Sequence, residues 1–173
     1  MFEKFDITPF KKMKPPSDHS FDTAQEIKNL KKTPLRKDLA QKYDNIESAF
    51  KKTAEENNIK DYDEKIASNL IKKSAPIILK LKKHYNRPRP YDLDKNLSAF
   101  KMKSMNTPSY PSGHSAQGYL IGSVLKKKYG KGSAFMKTAK NISDSRISAR
   151  AHYPSDSKFG EKLGTRLSEE VKS

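Results

Sequence analysis

Five apolar stripes, each spaced by three or four residues, and no run that alternates apolar with polar leave this chain one way to build a core: helix against helix. Leu35, Leu39, Tyr43, Ile46 and Phe50 make the first stripe, and the spacing predicts one amphipathic helix ended by Asn57-Asn58. Ile66, Leu70, Ile77 and Leu81 make the second, interrupted by Pro76, which lacks a backbone donor and should kink or split the segment. A third helix is expected just after Ser112-Gly113, with Ala116, Tyr119, Leu120, Ser123 and Val124 inward and a stop at Tyr129-Gly130. A fourth, from about Ser133, uses Phe135, Met136, Ala139, Ile142 and Ile147. The fifth follows Pro154-Ser155-Asp156, an N-cap signal, and carries Phe159, Leu163, Leu167 and Val171. The fold class is therefore all-α, a single helical bundle over residues 34–173. Residues 1–33, with their prolines and mixed polar content, read as an irregular arm holding at most a short helix from Asp22 to Leu30.

Composition narrows the function classes. No stretch approaches the roughly 20 apolar residues that cross a bilayer, so no membrane span is expected. The absence of cysteine excludes a disulfide scaffold, a Cys-ligated zinc and thiol catalysis. The opening MFEKFDITPFKKMKPP has no apolar leader core, which suggests a soluble, cytoplasmic chain, or a periplasmic one had a leader been removed. A net charge of +16 admits nucleic acid as a partner, although Lys scattered along every segment also suits solvated helix faces. Arginine is the more informative cation because only six of the 36 basic residues are Arg. Four of them, Arg87, Arg89, Arg146 and Arg150, fall in two short stretches that contain or adjoin histidines.

Three constellations follow. Lys82 to Pro90, KKHYNRPRP, pairs an ammonium with a guanidinium that can grip two oxygens, which suits a tetrahedral oxyanion; it also reads as a basic surface turn. Ser109 to Ser115, SYPSGHS, precedes a helix. There Gly113 allows close backbone approach, Ser112 offers a hydroxyl, first-turn N–H groups face an anion, and His114 supplies a titratable proton. An ordinary capped helix start with an exposed His has the same wording. In the third stretch, Ser145 to Asp156, Arg146 and His152 lie six apart and can share a face of the fourth helix. Asp156 stands four residues beyond His152, near enough to accept the other ring N–H, or else to act only as a helix cap.

Taken in order, these stretches resemble the signature of the type 2 phosphatidic acid phosphatase and vanadium haloperoxidase superfamily: K-x6-R-P, then P-S-G-H, then S-R-x5-H-x3-D. The wording YPSGH and HYPSD, the Lys-rich lead into RPRP, and Pro15-Pro16-Ser17 ahead of the Thr23 to Leu30 segment are similar to the soluble class A non-specific acid phosphatases. The resemblance implies an active site formed by loops and helix ends, in which His152 is the nucleophile, Asp156 orients it, and His114 is the general acid. Lys82, Arg89, Ser112, Gly113 and Arg146 would hold phosphate. It implies a phosphomonoester substrate and no metal or cofactor, with vanadate able to occupy the phosphate site. The alternatives are a vanadate-dependent haloperoxidase-like enzyme and a basic nucleic-acid-binding helical protein without catalysis. Oligomeric state and natural substrate are not legible.

Overall fold

The computed structural model, which describes residues 1–172, is all-helical, with no strand among the described residues. Element order is α1 Thr8–Lys11, α2 Phe21–Lys32, α3 Lys37–Lys42, α4 Ile46–Glu56, α5 Lys65–Tyr85, α6 Pro90–Leu93, α7 Gly113–Tyr129, α8 Gly132–Ser148 and α9 Pro154–Glu169. A 3-10 turn, Lys103–Met105, interrupts the long loop before α7. α7 is the central helix, packed by α5, α8 and α9, while α3 and α4 lean on α8. Leu120, Ile121, Leu125, Phe135, Ile142, Leu163 and Leu167 are fully buried at that centre.

Close helix approach rests on glycine. Gly118 and Gly122 of α7 face α8, where an added Cβ would meet Ile142 and Ala139. Gly160 and Gly164 of α9 face α7 more tightly still. A Cβ on Gly164 would overlap the Ala116 carbonyl oxygen and come within 2.9 Å of Leu120 N, both backbone atoms that cannot swing aside. Gly164→Ala should therefore cost about 3 kcal/mol or more of stability. Gly132→Ala, whose Cβ meets only the flexible Lys126 side chain, should cost far less. Urea midpoints of the two variants check this, and equal midpoints would refute the close-packing argument.

Several expectations need correction. The first stripe is not one helix, because α3 ends at Lys42 and α4 starts at Ile46. Asn45 breaks it by capping α4, its side chain accepting from Ser48 N–H at 2.9 Å. Pro76 does not split α5, which runs through it for 21 residues. The inward face of α5 is Ala67, Leu70, Ser74, Ile78 and Leu81, so Ile66 and Ile77 are only partly buried. Tyr119 and Val124 of α7 are likewise partly buried, and the small residues Ser115, Gly118 and Gly122 lie inside. Residues 1–33 are more regular than expected: α2 is capped by Ser20, and Phe2 and Phe10 reach the main core.

Candidate active site

A turn carries the central residue. α8 ends at Ser148, and Arg150 then takes a left-handed φ of 56°. The Arg150 guanidinium donates to Thr33 O at 2.8 Å and to Lys31 O and Ser98 O, which pins this turn to the end of α2. His152 therefore lies beyond the fourth helix and does not share a helical face with Arg146, contrary to the spacing argument.

Asp156 is the third residue of α9, and one of its oxygens has three donors. Oδ2 accepts from Tyr153 N–H at 3.0 Å, from His152 Nδ1–H at 3.0 Å and from the Ser109 hydroxyl. Helix capping and imidazole orientation, which the sequence posed as alternatives, are thus done by one carboxylate. With a carboxylate on Nδ1 and the Arg89 Nη1 donor 2.9 Å from Nε2, the ring is assigned as the Nδ1–H tautomer with its lone pair on Nε2. Burial and then the Arg89 charge push His152 down to about 3, against the pull of Asp156, so the imidazole is neutral at ordinary pH. Burial raises the Asp156 carboxyl, but its bonds with His152, the Arg87 charge and the Ser109 hydroxyl outweigh that and hold it below the usual carboxylate range.

The two RPRP arginines bracket this pair from opposite ends. Arg89 sits at the Nε2 end, with Nε and Nη2 also on Thr107 O and Nη1 on Ala151 O, which leaves one of its five N–H groups for an anion. Arg87 sits at the carboxylate end, with Nη1 on Asp156 Oδ1 and on Ser155 Oγ, each at 2.8 Å. Its Nη2 reaches Glu26 Oε2 at 3.2 Å, and its plane lies 3.7 Å over the Tyr153 ring. Glu26 of α2 in turn accepts from Ser155 N–H and Oγ at the first turn of α9, where a carboxylate is favoured. Lys82, on the last turn of α5, donates to Pro108 O. Burial, with Arg89 close by, lowers Lys82 to about 7, and Asp156 partly opposes the shift.

The second histidine belongs to another group. His114 Nε2 donates to Asp44 O at 2.9 Å and lies 3.3 Å from Asp44 Oδ1. The same Oδ1 accepts from Arg146 Nη1 at 3.0 Å and from Ser104 Oγ at 2.9 Å. Between the two groups runs the PSGH loop. Ser112 N–H donates to Asp156 O at 3.1 Å, and a Cβ added at Gly113 would stand 3.8 Å from Lys82 Cε. Ser112 Oγ accepts from Ser115 N–H and Oγ–H as the cap of α7, which leaves its own hydroxyl proton to give.

The expected residues thus fall in two groups, one around His152 and Asp156 and one around His114 and Arg146, with the PSGH loop between them; no hydrogen bond joins His114 to His152. Charge on Arg89 is felt by Lys82, Arg146 and His152 alike. Among the described residues no three His, Asp or Glu side chains converge as a metal site. Sequence reasoning gave no role to Arg87, Ser109, Glu26 or Asp44. Arg87-Pro88 looks like Arg89-Pro90, and nothing local says which guanidinium faces an anion. For Asp44 the signal was present: Asp44-Asn45 is turn chemistry inside the first stripe. Among the described residues no helix is long and apolar enough to cross a membrane. Comparison with curated proteins finds no match. The family model for the PAP2 superfamily, however, matches residues 66–168, more than half of the chain and every residue of the three stretches from Lys82 to Asp156, so the chain belongs to the PAP2 superfamily.

Proposed function

We propose that the chain is a metal-independent acid phosphatase that hydrolyses phosphomonoesters through a phosphohistidine on His152. Membership of the PAP2 superfamily supports a phosphoric ester hydrolase in general. What carries the finer reading is the His152 arrangement: a buried, neutral imidazole, held at Nδ1 by Asp156, with the Nε2 lone pair directed among cations.

Nε2 attacks phosphorus in line while the bond to the leaving oxygen breaks and its electron pair passes to that oxygen. His114 gives the leaving oxygen a proton. Water then attacks phosphorus, loses a proton to His114, and the P–N bond returns its pair to Nε2. Lys82, Arg89 and Arg146, with Ser112 and the Gly113 N–H, hold the equatorial oxygens, where charge spreads in the transition state.

The acid preference follows from two buried groups. The nucleophile is free base above about 3, and Lys82 carries its proton below about 7, so both are correctly charged only between those limits. p-Nitrophenyl phosphate should be hydrolysed fastest inside that window, undiminished by EDTA, and orthovanadate should inhibit competitively because it can take the five-coordinate geometry of the transition state. Loss of activity on chelation, restored by a divalent ion, would overturn the reading, as would indifference to vanadate.

A further inference from the structure

The corner between α3 and α4 delivers a carboxylate that the reaction above does not use. Asp44 is anchored there from α8. Arg146 donates to its carboxylate and, through Nη2, to Ala40 O at 2.6 Å, while Asn141 Nδ2 donates to Tyr43 OH at 3.2 Å. One Oδ1 thus meets Arg146, Ser104 and the His114 ring. We propose that Asp44 is a positioning residue for the general acid: its main-chain carbonyl accepts from His114 Nε2–H while its carboxylate, 3.3 Å from the same nitrogen, ties the ring to Arg146, and so Nδ1 is left as the nitrogen that passes the proton to and from the reacting oxygens.

The donor arithmetic separates this role from that of a plug. Arg146 has five N–H groups, of which Nε goes to Ser145 Oγ, one goes to Asp44 and one to Ala40 O. Two remain for an anion while the Asp44 bond persists, so substrate need not displace the carboxylate. His114 likewise keeps Nδ1 without a protein partner among the described residues while Nε2 is held. The interaction with His114, with Ser104 and Arg146 adding to it, holds the Asp44 carboxyl well below the usual range against partial burial, so it stays ionised in acid.

The proposal rests on the phosphatase reading with His114 as the acid, and the test separates the two. Asp44→Asn keeps an acceptor for Arg146 and removes the charge. Its kcat and KM are measured on p-nitrophenyl phosphate and on ethyl phosphate, alone and in a His114→Ala background. p-Nitrophenolate leaves with little help, whereas ethoxide needs a proton. Asp44→Asn should therefore lose about tenfold or more in kcat on ethyl phosphate and only a few-fold on p-nitrophenyl phosphate, with little further loss once His114 is gone. The retained p-nitrophenyl rate also reports that the variant folds. Equal losses on both substrates, or undiminished losses in the His114→Ala background, would reduce Asp44 to a structural residue and overturn the proposal. A gain in phosphate affinity together with activity would make it a plug and overturn it too. A wild-type protein that hydrolyses neither ester overturns the phosphatase reading and takes the proposal with it.

Discussion

His152→Ala is expected to abolish turnover on every phosphomonoester, by on the order of 10⁴-fold or more, because no covalent intermediate can form without Nε2. Folding is not expected to fail with it. The wild-type protein holds a neutral, desolvated imidazole whose bonds go to Asp156 and Arg89, and both partners keep others: Tyr153 N–H, Ser109 and Arg87 for the carboxylate, Thr107 O and Ala151 O for the guanidinium. Phosphate should still bind, since Lys82, Arg89 and Arg146 remain. Acid-sensitive label from radioactive substrate should be trapped on His152 in the wild-type protein. It should accumulate in His114→Ala if water attack then becomes the slow step. Label on His114 would reverse the assignment, and full activity in His152→Ala would remove the covalent mechanism.

How much of this was legible in the sequence depends on what each residue does. Lys82, Arg89, His114, Arg146, His152 and Asp156 carry chemistry in their side-chain type and lie in three short, ordered stretches, so they could be picked out before any fold was known. Helix existence was legible where apolar residues mark the buried face, as with Phe159, Leu163 and Leu167. The buried face was not legible where small residues mark it. Gly118, Gly122, Gly160 and Gly164 contribute no hydrophobic signal, yet they set how closely α7 meets α8 and α9. Asp44 was passed over because a stripe with uninterrupted spacing runs across the break between two helices, and periodicity alone does not register the turn chemistry of Asp44-Asn45. Position along a helix also misled: Arg146 stands on the last turn of α8 and His152 on a separate turn beyond it, joined by backbone that a six-residue spacing cannot describe. Arg87 was noticed as one of the clustered arginines, but its role was not legible, since its partners Glu26 and Asp156 are 61 and 69 residues away.

Arg87 is a buried cation held between two carboxylates from distant parts of the chain, so its loss should tell on stability. Its side chain is 1% exposed, between Asp156, which is fully buried, and Glu26, which is 15% exposed. Arg87→Met keeps most of the volume and the contact with Tyr153 but leaves two carboxylates without their counter-ion. Breaking a buried pair on one side only is expected to cost about 3–5 kcal/mol, a large share of the roughly 5–15 kcal/mol that holds a domain together. The pH dependence has a definite sign. The Asp156 carboxyl lies below its unfolded value in the native state, so it adds stability above the unfolded value, and that contribution is lost as pH falls through the native one. Without Arg87 the native carboxyl rises, so Arg87→Met should begin to lose stability on acidification at a higher pH than the wild-type protein does. Glu26→Gln in the same chain removes one of the stranded charges, and the double variant should recover part of the loss. Urea midpoints at neutral and acid pH measure all three. If Arg87→Met matches wild type at both, or if the double variant is simply the sum of the two singles, the cation is packing alone. Asp156 would then owe its charge, and His152 its orientation, to Ser109 and the α9 backbone.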